Sequence, residues 1–395
     1  MDQSGADTVR KRACQRGERR KPGIVAALFG VFGFLLFAGQ VTPVMAQTQA
    51  APSDPLQTFL QAYVQQAGLP GAVVGISYAD GSSRFVAAGL SSAKPNRKMR
   101  ESARFYIGSL TKMMTSVVIL QLASEQRLKL SDHPARWLPP EYAQSIANAK
   151  TATITDLLHN SSGIPDYLDG DFFFELVGRE PQHGWRNAEL LPLIADRDAV
   201  FSPGSDYANS NSNYILLGYI IEQIEQAPIE DVFEKRIFTP LDMNATSFGS
   251  FPRDRDIARG YDDGDGDGNL EDVTDYDVGD HLADGGVVSN ARDMLAFLRG
   301  LFADGTLLGP KAIERMTTDT RFAGNGSYGY GVMVGQSDWG PVWGHDGTYF
   351  GYSAEISWFP DQQTGVVFLT NGRPLNEVPP FTQQLLPALF GNPFQ

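Results

Sequence analysis

Phe105-Tyr106-Ile107-Gly108-Ser109-Leu110-Thr111-Lys112 sets a serine three residues before a lysine, at the point where an apolar helical run begins. Residues i and i+3 share a helix face, so the Lys112 amine can lie beside the Ser109 hydroxyl and accept its proton. A serine hydroxyl is a weak nucleophile until a neighbouring base activates it. The unpaired N–H groups of a helix's first turn also point toward incoming negative charge, which makes Ser109 N–H a candidate oxyanion donor. A helix that merely starts with Ser and Thr as caps, with Lys112 on a solvated face, is the alternative that this stretch alone leaves open.

Around this stretch, the 395 residues are 42% hydrophobic, enough for one large domain or two intimately packed regions, and show no internal repeat. Arg10, Lys11, Arg12, Arg16, Arg19, Arg20 and Lys21 precede an apolar stretch at 24–38, and Val44-Met45-Ala46 follows. That pattern predicts a secretory signal peptide over 1–46 with cleavage after Ala46, then a flexible leader over 47–55. The apolar stretch falls short of the about 20 residues a membrane span needs. The expected location is therefore periplasmic or secreted, with no membrane partner after cleavage, and an uncleaved anchor is the alternative. Seven of the 32 basic and three of the 46 acidic residues lie before Ala46, which leaves a net charge of −18 on the processed chain. So acidic a chain is not a nucleic-acid binder. Cys14, the single cysteine, precedes the apolar stretch, so the processed chain offers no disulfide, cysteine nucleophile or thiolate metal site.

Periodicity places a helix over 56–64, strands at 72–78 and 84–88 around an Asp80-Gly81 hairpin signal, and the Ser109 helix to about Gln126. A loop-rich, mostly helical middle follows, with Thr153-Ile154-Thr155-Asp156-Leu157-Leu158 and a Ser161-Ser162-Gly163 loop near its start. A helix over 291–302 leads back to strands at 330–334, 354–359 and 365–369, and a last helix is expected over 380–389. Strands at both ends with helices between them predict an α+β fold. In it an antiparallel sheet built from both ends of the mature chain is flanked by helices and carries an inserted helical region. The cleft where sheet and helical region meet is the default place for a site.

Two further segments bear on the chemistry. Pro203-Gly204-Ser205-Asp206-Tyr207-Ala208-Asn209-Ser210-Asn211-Ser212-Asn213-Tyr214-Ile215-Leu216-Leu217-Gly218 is one, and Trp343-Gly344-His345-Asp346-Gly347, before an expected strand, is the other. With Ser109 and Lys112 they resemble the three motifs of the serine β-lactamase and penicillin-binding-protein superfamily. The nearest branch is the class C β-lactamase-related group of D-alanyl-D-alanine peptidases, D-aminopeptidases and esterases. The segments 157–165 and 285–294 are similar to family stretches between the motifs, and the resemblance covers the mature chain, 56–395.

In that branch the second motif is usually Tyr-x-Asn, and the spacing from Gly204 and from Tyr214 puts Asn209-Ser210-Asn211 in its place. Asn209 then stands for the tyrosine. Tyr207-Ala208-Asn209 is the alternative register. A phenol can exchange a proton, whereas a carboxamide only donates and accepts hydrogen bonds, so Lys112 would have to carry more of the proton transfer. Asn211 can still orient Lys112 and hold a substrate amide. The resemblance makes His345-Asp346-Gly347 the third motif, with His345 a hydrogen-bond donor in the cleft, Gly347 admitting substrate close to the strand, and Thr348 N–H the second oxyanion donor. Lys-Thr-Gly would stand there in a dedicated class C β-lactamase, and Arg104 or Arg373 is the candidate replacement for its charge. Tyr106, Asp166, Tyr167, Trp343 and Tyr352 are candidate cleft liners, core packing being the alternative for the aromatics. The remaining histidines, His133, His159, His183 and His281, are expected to be structural or exposed.

Asp263-Gly264-Asp265-Gly266-Asp267-Gly268-Asn269-Leu270-Glu271 matches the opening of a calcium loop, with Asp263, Asp265 and Asp267 as candidate ligands, but Thr274 stands where the bidentate glutamate belongs. A structural calcium and a solvated acidic insertion are both open, and the expected chemistry needs no cofactor. The expectation for function is a serine hydrolase that cleaves an ester or amide through a Ser109 acyl-enzyme, acting on a small-molecule, peptide or ester substrate, with peptidoglycan a candidate partner. The alternative is a weakly active or non-catalytic binder of peptidoglycan or another envelope component, its proton-transfer partner lost at Asn209.

Overall fold

Two runs from opposite ends of the chain form the middle of one sheet. The computed structural model describes residues 54–391 apart from 171, 181–182, 249–256, 265, 275–280 and 325, so the expected signal peptide lies outside the described residues. Of the expected leader, Pro55 already opens helix α1 (Pro55–Ala67), which Asp54 caps by accepting from the N–H groups of Leu56 and Gln57. β1 (Gly71–Ser77) and β2 (Ser83–Ser92) make the hairpin signalled by Asp80-Gly81, with Gly81 at φ 85° and Asp80 Oδ1 accepting Ser82 N–H at 2.9 Å. β3 (Arg97–Lys98) extends that edge.

Two small sheets follow, one of β4 (Arg104–Tyr106), β5 (Ser247–Phe248) and β8 (Val287–Asn290), the other of β6 (Tyr261–Asp262) and β7 (Glu271–Asp272). The chain then returns through β9 (Arg321–Phe322), β10 (Ser327–Tyr328), β11 (Met333–Ser337), β12 (Gly340–Tyr349), β13 (Tyr352–Phe359) and β14 (Thr364–Thr370). The order β3-β2-β1-β14-β13-β12-β11-β10-β9 is antiparallel throughout, and the pairing of β1 with β14, Ala72 opposite Thr370, joins the two ends of the chain.

Side chains on this sheet alternate between two cores, as a strand's period of two requires. Ala72, Val74 and Ile76 of β1 and Val366 and Phe368 of β14 pack with Leu60, Val64 and Phe381, beneath α1 and the last helix. Val73, Val367 and Leu369 face the other way, onto Leu295 and Leu298. Both faces are thus covered, and every residue of β1 is buried.

Helix α2 (Thr111–Ser124) is buried along almost its whole length, as expected of a helix that is apolar all round. A tight turn, Gly108–Leu110, precedes it and carries Ser109. Helix α3 (Ile154–Leu158) begins with a capping box of Thr153 and Asp156, and helix α4 (Asn211–Glu225) packs across α2. Helix α5 (Ala291–Phe302) starts where the Asn290 side chain accepts Asp293 N–H at 2.9 Å, and α6 (Phe381–Phe390) closes the fold.

Two expectations are corrected. The strand expected at 330–334 begins only at Met333, because Gly331 turns at φ 70° against α2, where a Cβ would stand 2.8 Å from the Lys112 carbonyl oxygen. The segment 343–347, expected to precede a strand, lies inside β12, where pairing with β13 outweighs the turn signal of Asp346-Gly347.

Leu298 is wholly buried beneath the centre of the sheet and Phe322 is 75% exposed. Leu298→Ala is expected to lower unfolding free energy by about 2–5 kcal/mol, and Phe322→Ala to stay within about 0.5 kcal/mol of the parent, measured by urea denaturation.

Candidate active site

Ser109 is held by two close backbone approaches. Gly108 takes φ 54°, and a Cβ there would stand 2.6 Å from the Thr348 carbonyl oxygen. From β12, a Cβ on Gly347 would stand 2.3 Å from the Ile107 oxygen and 2.8 Å from Ser109 N. Both positions lack room for a side chain, so the turn before α2 and the end of β12 lie backbone against backbone. That brings Ser109 and Thr348, whose N–H groups are the expected oxyanion donors, to one cavity.

Lys112, the second residue of α2, is 1% exposed. Its Nζ donates to Ser109 Oγ at 2.8 Å, to Asn211 Oδ1 at 2.8 Å and to the Asp284 carbonyl oxygen at 3.0 Å. Three acceptors from three distant parts of the chain satisfy the amine, as burial of such a group demands. Burial pulls the Lys112 pKa below the usual lysine value, and the carboxylates of Asp284, Asp166 and Asp346 pull it back part of the way.

Asn211 rather than Asn209 meets Lys112, which fits the Asn209-Ser210-Asn211 register. Asn209 lines the Ser109 cavity, its Oδ1 accepting from Asn160 Nδ2 at 3.3 Å. The loop carrying these residues is clamped by the Asn160 side chain, which accepts from Ser210 N–H at 3.3 Å and from Asn213 Nδ2 at 2.8 Å.

Tyr207 does not line the Ser109 cavity. It lines a neighbouring one of about 470 Å³ with Tyr328, His345, Asp346 and Glu355. His345 is 6% exposed, and its Nε2 lies 3.0 Å from the Tyr328 hydroxyl while its Nδ1 meets the Asp346 carbonyl oxygen. Burial, then the Lys112 charge, lowers its pKa to about 4, and burial raises that of Tyr328 well above the ordinary phenol value. The neutral ring therefore donates through Nδ1–H and accepts the phenol proton at Nε2. His345 is thus turned toward the neighbouring cavity, occupied at both nitrogens.

The Ser109 cavity, about 340 Å³, is walled by Tyr167, Phe173, Tyr349 and Phe350, with Asp284 in its lining and Arg373 exposed at its rim. Of the two candidate arginines, Arg373 is the one that reaches it; Arg104 sits in β4. Among the candidate liners, Asp166 Oδ2 accepts from Asn211 Nδ2 at 2.8 Å, and the Tyr167 hydroxyl donates to Asp284 Oδ2 at 3.0 Å. Tyr106 stacks on Tyr349 at 4.4 Å, Tyr352 donates to the Ala258 carbonyl, and Trp343 packs on Phe302. Asp284, 5% exposed, was not singled out by the sequence. A single Asp before Gly285-Gly286 carries no periodicity, and burial is its only distinguishing mark.

The other histidines serve local structure: His133 Nδ1 meets the Ala152 carbonyl and His159 Nε2 that of Asp319, while His183 and His281 face Glu189 and Glu230. In the acidic loop Asp263 accepts from Gly268 N–H at 3.1 Å and Asp267 from Asn269 N–H at 2.7 Å, and Asp265 lies outside the described residues. Among the described residues no three His, Cys, Asp or Glu side chains are grouped to hold a metal ion.

The sequence model of the family described as Beta-lactamase matches residues 56–386. Penicillin-binding protein 4* of Bacillus subtilis (strain 168) is 27% identical over 327 residues, covering 75% of this chain and 67% of that protein. The putative penicillin-binding protein PbpX of the same organism is 28% identical over 279 residues, covering 68% of this chain and 62% of its own length. The chain thus spans about two thirds of the length of these curated relatives. A D-stereospecific amidohydrolase from Streptomyces sp. superposes with a TM-score of 0.73 at 27% identity, covering 85% of this chain and 97% of that one. These likenesses support serine hydrolase chemistry in general. Because the family match runs from α1 into α6 and takes in every residue of the serine–lysine cluster, the chain belongs to the Beta-lactamase family.

Proposed function

We propose that this chain is a periplasmic or secreted serine hydrolase that cleaves an ester or amide, of the esterase or D-amino-acid peptidase type, through an acyl-enzyme on Ser109. One observation carries the reading: a wholly buried Lys112 with its Nζ 2.8 Å from Ser109 Oγ. In its neutral form Lys112 takes the hydroxyl proton as Oγ attacks the carbonyl carbon, and the N–H groups of Ser109 and Thr348 receive the oxyanion. The Lys112 ammonium then gives its proton to the departing oxygen or nitrogen. Water attacks the acyl carbon, Lys112 takes a water proton, and that proton returns to Ser109 Oγ as the acid leaves. Asn209 can exchange no proton, so Lys112 serves both halves.

The aromatic walls and the likeness to a D-stereospecific amidohydrolase favour a small acyl group bearing an apolar or aromatic side chain. Peptidoglycan-derived peptides with D-residues fit that class. Arg373, with no hydrogen-bond or ion-pair partner among the described residues, can meet a substrate carboxylate at the rim. His345, engaged with Tyr328 and Asp346, contributes by bracing β12 beside the cavity.

The basic form of Lys112 is the active one, so Ser109 acylation is lost as pH falls through the Lys112 pKa. Burial sets that midpoint below the value of a free lysine. Asp284→Asn removes a negative charge that raises the Lys112 pKa, and is expected to move the midpoint of the pH–rate profile further down. Lys112→Ala is expected to slow acylation by about 10²–10⁴-fold.

The adduct itself is read by intact mass after incubation with a fluorophosphonate and, separately, with a penicillin. An added mass that is absent in Ser109→Ala supports the acyl-enzyme, and no adduct with either probe sinks it.

Asn209 favours a second reading, a homologue that binds an envelope component with little or no turnover. Asn209→Tyr puts a phenol at the cavity mouth. A large gain in ester or D-amino-acid amide turnover would show that proton transfer had been impaired, and an unchanged rate would leave Lys112 as a sufficient carrier.

A further inference from the structure

A neutral lysine amine has two N–H donors and one lone pair, and it can act as a base on Ser109 only if that lone pair faces the hydroxyl. Lys112 Nζ has three near neighbours: Ser109 Oγ, the Asp284 carbonyl oxygen and the Asn211 carboxamide. The Asp284 carbonyl can only accept and therefore takes one N–H. The outcome then turns on which end of the Asn211 carboxamide faces Nζ. With Oδ1 inward, Asn211 takes the second N–H, and the lone pair is left for Ser109. With Nδ2 inward, the amide would donate to Nζ and occupy the lone pair.

The end that faces inward is decided from the other side of Asn211. Asp166 Oδ2 lies 2.8 Å from Asn211 Nδ2 and 3.1 Å from Asn211 N, and an ionised carboxylate can only accept. Asp166 Oδ1 is taken up within its own turn by Leu168 N–H at 3.1 Å, so Oδ2 is the oxygen aimed at Asn211. Asp166 comes from the loop after α3, whereas Asn211 opens α4. The contact therefore also ties the loop to the helix that bears the motif.

We infer that Asp166 is a positioning residue: by holding Asn211 Nδ2 it fixes the Asn211 oxygen on Lys112 and so directs the Lys112 lone pair at the Ser109 hydroxyl. The inference rests on the acyl-enzyme reading of Ser109 for its consequence but not for its geometry. Asp166 touches no reacting atom and acts through Asn211.

A double-mutant cycle on Ser109 phosphonylation tests it. Asp166→Asn, which lets the carboxamide turn, is expected to slow phosphonylation by about 10- to 100-fold, the worth of a charge-assisted hydrogen bond. In the Asn211→Ala background the same change is expected to cost less than about twofold, because the residue it acts through is gone. Losses that multiply in the double variant would overturn the proposal and leave Asp166 a structural residue.

A second measurement needs neither a folded variant of Asp166 nor hydrolytic activity. The side-chain amide signals of Asn211 in the ¹⁵N-labelled parent, assigned by their loss in Asn211→Ala, should include one exchange-protected, downfield-shifted proton. Two ordinary, fast-exchanging protons would overturn the proposal. If the parent takes up no fluorophosphonate, the acyl-enzyme reading fails, and the Asn211 signals alone decide the placement of its amide.

Discussion

The Lys112 amine is the group around which the rest of the fold is constrained. Taking a primary amine out of water costs several kcal/mol unless every polar bond it loses is replaced. Its three replacements come from the turn before α2, from the first residue of α4 and from the loop ahead of β8. None of the three lies near another in sequence, and only Ser109 is near Lys112. The central helix, the helical region that carries α4 and the loop ahead of β8 must all be in place before the amine is satisfied, so the site and the fold are completed together.

The same burial sets the electrostatics. Desolvation favours the neutral amine, which a base must be, while Asp284 and Asp166 favour the ammonium. Each carboxylate is in turn tied to another group, Asp284 to the Tyr167 hydroxyl and Asp166 to the Asn211 amide. Burial raises the pKa of both, the Lys112 charge working against it. Burial and the carboxylates thus pull the lysine in opposite directions, with burial the larger effect. Around this, Gly108 and Gly347 allow the backbone contact that brings Ser109 and Thr348 to one cavity, so the steric and electrostatic halves of the site come from different residues.

Much of this was legible in the chain. Ser109 and Lys112 stand out because a helix puts residues three apart on one face, and the Asn209-Ser210-Asn211 register followed from counting inward from Gly204 and from Tyr214. The hairpin at Asp80-Gly81 was signalled by its turn dipeptide, and the helix over 291–302 stands where it was expected. What was not legible depends on tertiary contact. β12 carries Gly344 and an Asp346-Gly347 pair, which weigh against a strand, and its pairing with β11 on one side and β13 on the other makes it one. His345 was expected as a hydrogen-bond donor in the cleft, and the partner of its Nε2, the Tyr328 hydroxyl seventeen residues earlier, could not be named from the chain. Asp284 gave no signal, because what distinguishes it is burial against Lys112 and Tyr167, which no local pattern encodes.

Asn209 is the departure with the widest consequence. A phenol at that place would offer a second group able to exchange a proton beside Ser109, and the amine's own orientation would matter less. With a carboxamide exposed at the mouth, and Tyr207 and His345 both turned to the neighbouring cavity, Lys112 is the one titratable group hydrogen-bonded to the serine among the described residues. In the proposed reaction, proton traffic in both halves then depends on the direction of one lone pair. A site with a single carrier has to fix that direction more tightly than a site with two. That demand accounts for a carboxylate devoted to an asparagine that itself transfers no proton, and it makes the geometry around Asn211, more than the identity of any further acid or base, the condition on which the proposed turnover rests.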